Sequence, residues 1–175
     1  MIRVGIQIVL HILTFTKQHY KHFLHYSFII LRTIQKIVMR RSYSILYVDD
    51  DIDDLFLISE AFEKYTNHLT VVHADNGAEG LKTLEKLQEN LPCLLIIDIN
   101  MPVMDGKEML VKLREDSKFK DLPVIMFSTS GSQKDKQFAE DYEAEFISKP
   151  ASYSELRSLV EQFVSKCRFD VKSSA

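Results

Sequence analysis

From Ser44 onward, short apolar runs alternate with longer segments whose apolar residues recur every three or four positions. Ser44–Val48 is short and apolar and predicts a strand. Asp53–Tyr65 places Leu55, Phe56, Ile58, Ala61, Phe62 and Tyr65 at helical spacing. Leu69–His73 predicts a second strand, and Asn76 caps a helix carrying Ala78, Leu81, Leu84 and Leu87. Leu94–Asp98 is an unbroken apolar run ending in an acid, the mark of a strand buried on both faces. Met104–Arg114 reads as a helix, Pro123–Phe127 as a strand, Ser132–Tyr142 as a short polar helix and Glu145–Ser148 as a last strand. Ser152–Lys166 closes the series with Leu156, Leu159, Val160, Phe163 and Val164 on one face. Five strand–helix units predict a three-layer α/β fold: a doubly wound parallel sheet with helices on both faces. In such sheets ligands sit at the carboxyl ends of the strands, beside a switch in strand order.

Those strand ends carry the chemistry. Tyr47-Val48-Asp49-Asp50-Asp51, Ile96-Ile97-Asp98, Met126-Phe127-Ser128-Thr129 and Ile147-Ser148-Lys149-Pro150 supply, in order, an acidic cluster, a lone Asp, hydroxyls and a Lys. Two carboxylates about 4 Å apart repel by roughly 4 kcal/mol at an effective dielectric of 20. A pocket that gathers several calls for a cation, which points to magnesium, a nucleophilic carboxylate and a phosphoryl group held by Ser128 or Thr129 and Lys149. Each motif alone is ambiguous. Asp98 and the acidic run could cap helices, Ser128-Thr129-Ser130 could do the same, and Lys149-Pro150 could be a surface turn. Their order at successive strand ends is what carries the signal.

Charge divides the chain. Residues 1–48 hold seven Lys or Arg and no acid, which leaves fifteen basic against twenty-five acidic residues in the remainder, a net of −10. An acidic body argues against nucleic-acid binding. The expected organisation is an N-terminal extension at 1–42, one domain at 43–167 and a short tail at 168–175. Apolar runs in the extension, Val4–Phe15 and Phe28–Met39, stop short of the ~18 residues of a membrane span. They fit either a basic surface-lying segment or translation starting at Met39. His19, His22 and His25 lack an acid or Cys to complete a metal site. Cys93 and Cys167 are too few and too far apart for a disulfide framework and read as two reduced thiols in a cytoplasmic protein.

From about Tyr43 to Lys166 the chain resembles the receiver domain of two-component response regulators, most specifically in Asp98-x-x-Met101-Pro102-x-Met104-Asp105-Gly106. The resemblance implies a flavodoxin-like fold with strand order 2-1-3-4-5. It implies that Asp98 accepts a phosphoryl group from a phosphohistidine on a sensor histidine kinase or phosphotransfer protein. Asp49, Asp50, Asp98 and the Asn100 carbonyl would hold Mg2+. Ser128 and Lys149 would contact the phosphoryl group, Phe146 would be the aromatic switch, and the Lys149–Pro150 bond would be cis. Only Cys167–Ala175 follow the last helix, so the expectation is a stand-alone receiver. It would signal by phosphorylation-dependent docking to an unknown downstream protein or a second copy, and would not be an enzyme beyond its own phosphorylation and dephosphorylation. A haloacid-dehalogenase-type phosphatase would need an acidic pair after Lys149, and none follows. Two positions depart from the family pattern. Thr129 replaces a small residue and would narrow the pocket, and Glu143-Ala144 replaces Gly-Ala, which makes a left-handed helix C-cap costly.

Overall fold

The structure is a computed structural model and describes residues 43–65, 69–87, 90–129 and 131–167. The expectations for the N-terminal extension, its histidines and the tail lie outside the described residues. Within them the order is β1 (Tyr43–Val48), α1 (Ile52–Phe62) with a 3-10 turn at Glu63–Tyr65, β2 (Leu69–Ala74), α2 (Gly77–Leu87), β3 (Leu94–Ile97), α3 (Gly106–Glu115), β4 (Val124–Ser128), α4 (Gln133–Asp141), β5 (Glu145–Ser148) and α5 (Tyr153–Lys166). The five strands form one parallel sheet in the order β2-β1-β3-β4-β5. This is the expected doubly wound, flavodoxin-like arrangement.

The two-residue period of the strands explains the layers. Leu46 and Val48 of β1, Leu95 and Ile97 of β3, and Val124 and Met126 of β4 face one side, where they pack on Leu84, Met109, Leu110 and Ala139 of α2, α3 and α4. The alternate residues Ile45, Tyr47, Leu94, Ile96, Ile125 and Phe127 face Ile58, Phe62, Leu156, Val160 and Phe163 of α1 and α5. Caps set the helix starts. Asp51 accepts from the backbone N–H groups of Asp53 and Asp54, Asn76 from Glu79, Asp105 from Glu108 and Ser132 from Asp135.

Cys93 and Cys167 form a disulfide with a Cα–Cα distance of 5.0 Å, which corrects the expectation of two free thiols. They are 74 residues apart in sequence, and only the packing of α5 on the α1 side of the sheet brings the end of that helix to the start of β3. The peptide bonds of the described residues are all trans, so the expected cis Lys149–Pro150 bond is also corrected. The intrinsic preference of an X–Pro bond is trans, and the residues around Lys149 do not reverse it.

The C-terminal end of α4 shows how the missing Gly is managed. Glu143 adopts φ 52, and its N–H and that of Ala144 donate to the Glu140 and Ala139 carbonyls, completing a Schellman motif without glycine. Arg114 of α3 reaches across and donates from Nε to the Tyr142 carbonyl at 2.8 Å and from Nη2 to that of Glu143 at 3.1 Å. Its Nη1 also binds the Lys120 and Leu122 carbonyls. A cation at a helix C-terminus is favourable, and here it also fixes a turn that an L-residue resists. Arg114→Met is expected to lower stability by about 1–2 kcal/mol, from the loss of four charge-assisted bonds, two of them part-buried and two exposed. Glu143→Gly should recover about 1 kcal/mol of it. Urea unfolding checks both, and a wild-type midpoint for Arg114→Met would contradict the assignment.

α3 and α4 are also tied at their N-terminal ends. Lys107 pairs with Asp135, whose other oxygen accepts from the Ser132 hydroxyl at 2.6 Å. These two partners hold the Asp135 carboxyl below its ordinary range. A depressed carboxylate adds stability above its unfolded value and loses it as pH falls through the folded one. Asp135→Asn should therefore cost about 1 kcal/mol at neutral pH and converge with wild type only as pH falls below the ordinary carboxylate range. Equal offsets at both pH values in urea titrations would rule out the ion pair as the cause.

Candidate functional site

The carboxyl ends of β1, β3 and β5 converge around one ammonium group. Lys149 follows β5, and its backbone N–H donates to the Ser128 carbonyl at 3.1 Å, which continues the ladder past the strand. Its Nζ lies 2.7 Å from Asp49 Oδ2, 2.7 Å from Asp54 Oδ2 and 3.2 Å from Asp98 Oδ1. Asp49 and Asp98 are buried, at 1% and 5% exposure, while Asp50 beside them is exposed. Burial alone would lower the lysine, but the hydrogen bonds to Asp49 and Asp54 outweigh it and hold the ammonium above its ordinary value. Burial pushes the Asp98 carboxyl up, and Lys149 offsets this only in part.

Each acid is fixed locally. The Tyr47 phenol donates to Asp49 Oδ2 at 2.5 Å, and burial together with the Asp49 charge keeps that phenol protonated far above its ordinary range. His73 of β2 donates from Nε2 to the Asp49 carbonyl at 2.8 Å, and the Asp51 N–H donates to Asp49 Oδ1. On β3's side the Asn100 N–H donates to Asp98 Oδ2 at 2.6 Å. The loop beyond Asp98 closes when Gly106 N–H donates to the Ile99 carbonyl. A Cβ on Gly106 would stand 2.1 Å from the Asp98 carbonyl oxygen, so only glycine lets the start of α3 approach this close. Val103, at the tip of the same loop, is 86% exposed and held at φ 69, a costly conformation for a β-branched residue.

Ser128 is fully buried at the end of β4, with Asn100 Nδ2 at 3.5 Å from its Oγ. Thr129 is exposed just beyond it. Phe146 is half-buried on β5, opposite Met126, and packs against the α2–α4 side of the core. A Cβ on Gly131 would lie 3.7 Å from the Phe146 ring, so the ring borders the loop that follows Ser128.

The predicted residues thus fall into three degrees of closeness. Asp49, Asp98 and Lys149 touch; Asn100 and Ser128 adjoin them; Asp50 lies at the rim and Phe146 one strand away. Asp51 is the cap of α1. Three residues that sequence reading passed over belong to the same network: Tyr47, His73 and above all Asp54. Asp54 reads in sequence as an ordinary acid in a first helical turn. Its place one turn beyond Asp50, on a helix that starts at the pocket, was the available signal.

Metal binding fits the donor chemistry. Asp49, Asp50, Asp98 and the Asn100 carbonyl are all oxygen donors, as a hard divalent cation requires. As the side chains stand, no three His, Cys, Asp or Glu groups among the described residues are arranged to hold an ion. The Lys149 ammonium stands within ion-pair distance of both Asp49 and Asp98.

A family model for the response regulator receiver domain matches residues 45–161. Response regulator Rre1 of Synechocystis is 31% identical over 131 residues, covering 73% of this chain and 54% of that protein. The sensor histidine kinase CheAY of Helicobacter pylori is 32% identical over 123 residues, covering 70% of this chain and 15% of that protein. The chain therefore spans about half the length of the first relative and a small part of the second. Among solved structures, the phosphorylated cyanobacterial phytochrome response regulator RcpA matches with a TM-score of 0.64 at 30% identity, over 69% of this chain and 90% of that one.

Proposed function

Because the chain belongs to the response regulator receiver domain family, we propose that it accepts a phosphoryl group on Asp98 from a phosphohistidine of a sensor histidine kinase or phosphotransfer protein. The observation that carries this reading is the buried Asp98 carboxylate held 3.2 Å from Lys149, which also binds Asp49. A carboxylate there is desolvated and oriented by the Asn100 N–H, with one oxygen aimed into the pocket. An Asp98 oxygen attacks phosphorus, the P–N bond breaks, and the imidazole leaves with a proton. Asp49, Asp50, Asp98 and the Asn100 carbonyl would hold magnesium, which would supply charge neutralisation of the carboxylates and of the transferring oxygens. Lys149 contacts a phosphoryl oxygen as a compact cation.

After transfer, Asp98 carries added negative charge. Ser128 turns its hydroxyl toward that charge, and Phe146 moves into the space beside the loop. The outcome is a two-state shift biased by one local modification. The shifted face docks a downstream protein or a second copy of the chain; the acidic body disfavours nucleic acid. The solved relative RcpA was captured in its phosphorylated form, which supports the same chemistry here. CheAY supports a kinase as donor.

No helix among the described residues is long and apolar enough to cross a membrane. A kinase donor places the module in the cytoplasm, where the Cys93–Cys167 bond meets a reducing poise. The test is incubation with acetyl phosphate and magnesium, read by intact mass. One phosphoryl group per chain, absent with chelator, supports the reading. Continuous turnover of p-nitrophenyl phosphate without a stable adduct would favour a phosphatase.

A further inference from the structure

Lys149 is bound by three carboxylates, and the proposed function uses only two of them. Its ammonium donates hydrogen bonds to Asp49 and Asp54 and forms an ion pair with Asp98 at 3.2 Å. Asp49 and Asp98 are the oxygens a divalent cation needs. Asp54 stands outside that set, on the first turn of α1, and reaches Lys149 across 95 residues of sequence at 2.7 Å. The acid of a first helical turn ordinarily faces solvent; here the side chain is about two-thirds covered, at 34% exposure. Asp54 and Lys149 also line one cleft with Leu57, Pro150 and Tyr153, between α1 and the start of α5.

We propose that Asp54 is a positioning residue that draws the Lys149 ammonium aside, so that a divalent cation can enter between Asp49 and Asp98 with Lys149 still paired at the pocket wall. The inference rests on the phosphoacceptor reading above and assigns a role to a residue that reading leaves out. The physical argument is competition. Lys149 and the incoming cation claim the same two carboxylates, and two cations side by side repel. A third carboxylate away from the metal position gives the ammonium a partner to keep while it yields the other two. Without Asp54, Lys149 can only cling to Asp49 and Asp98 or lose all its partners.

A double-mutant cycle on metal affinity tests this. Manganese(II) binding is measured by the electron paramagnetic resonance signal of the free ion, at about 0.15 M salt to screen distant charges. Four proteins are compared: wild type, Asp54→Asn, Lys149→Met and the double variant. Asp54→Asn is expected to weaken binding about tenfold in the wild-type background and by less than about twofold when Lys149 is Met. Asp54→Ser, which keeps a good helix-start residue, is expected to behave as Asp54→Asn does. An equal loss in both backgrounds would show only the long-range charge of Asp54 and overturn the proposal, as would no loss at all. Those results would leave phosphoryl uptake by Asp98 untouched. Absence of manganese binding by the wild-type protein would overturn the metal-dependent phosphoacceptor reading together with this inference.

Discussion

Asp98→Asn is expected to take up no phosphoryl group from acetyl phosphate and magnesium, while the wild-type chain gains one. The amide cannot attack phosphorus as a carboxylate does, and it removes one metal oxygen. The variant should nevertheless fold at least as well as wild type. Burial pushes the Asp98 carboxyl up, so ionising it costs more in the folded chain than in the unfolded one. A group whose folded value is raised contributes stability only at low pH and loses it as pH rises through that value. A neutral isostere escapes the loss. Loss of phosphoryl uptake with an equal or higher unfolding temperature would therefore identify chemistry rather than misfolding. Intact mass and thermal unfolding provide the two readouts, and uptake at the wild-type rate would remove Asp98 from its role.

Lys149→Met should have the largest effect on stability. It leaves the Asp49 and Asp98 carboxylates, with side chains 2% and 7% exposed, without the cation that compensates them. Breaking a fully buried pair costs about 3–5 kcal/mol; the exposed rim at Asp50 and Asp54 reduces this to about 2–3 kcal/mol here. Magnesium should restore more stability to the variant than to wild type, because the competitor for its oxygens is gone. The conformational response should suffer the opposite fate. With beryllofluoride as a phosphoryl mimic, resonances around Ser128 and Phe146 should shift in wild type and stay unmoved in the variant. A variant as stable as wild type without magnesium, or one with a full spectral response, would contradict the central place given to Lys149.

The residues that repeat along the sequence were legible in it, and those that meet only in three dimensions were not. Alternation along Ser44–Val48 and Leu94–Asp98 told both the strands and their two-sided burial, because a parallel strand under two helix layers has no polar face to show. Asp49, Asp98, Ser128 and Lys149 stood out because each ends an apolar run, which is where this architecture gathers its chemistry. Asp54 did not stand out, because a first-turn acid has an adequate local explanation and Lys149 lies 95 residues away. Arg114 was invisible for the same reason: its carbonyl partners belong to turns whose shape the packing decides. Glu143 shows the converse. Its left-handed backbone was foreseen as costly, and the structure keeps the turn by bringing an arginine from another helix. The Cys93–Cys167 bond joins two ends of different units, and no spacing rule links them.

The most direct measurement locates the phosphoryl group. The chain, treated with acetyl phosphate and magnesium, is reduced with borohydride, which converts an aspartyl phosphate to homoserine. Peptide mapping then reads the converted position. Homoserine at position 98 alone is the predicted result. Conversion at Asp49, Asp50 or Asp54, or none at any position in a chain that binds magnesium, would contradict it.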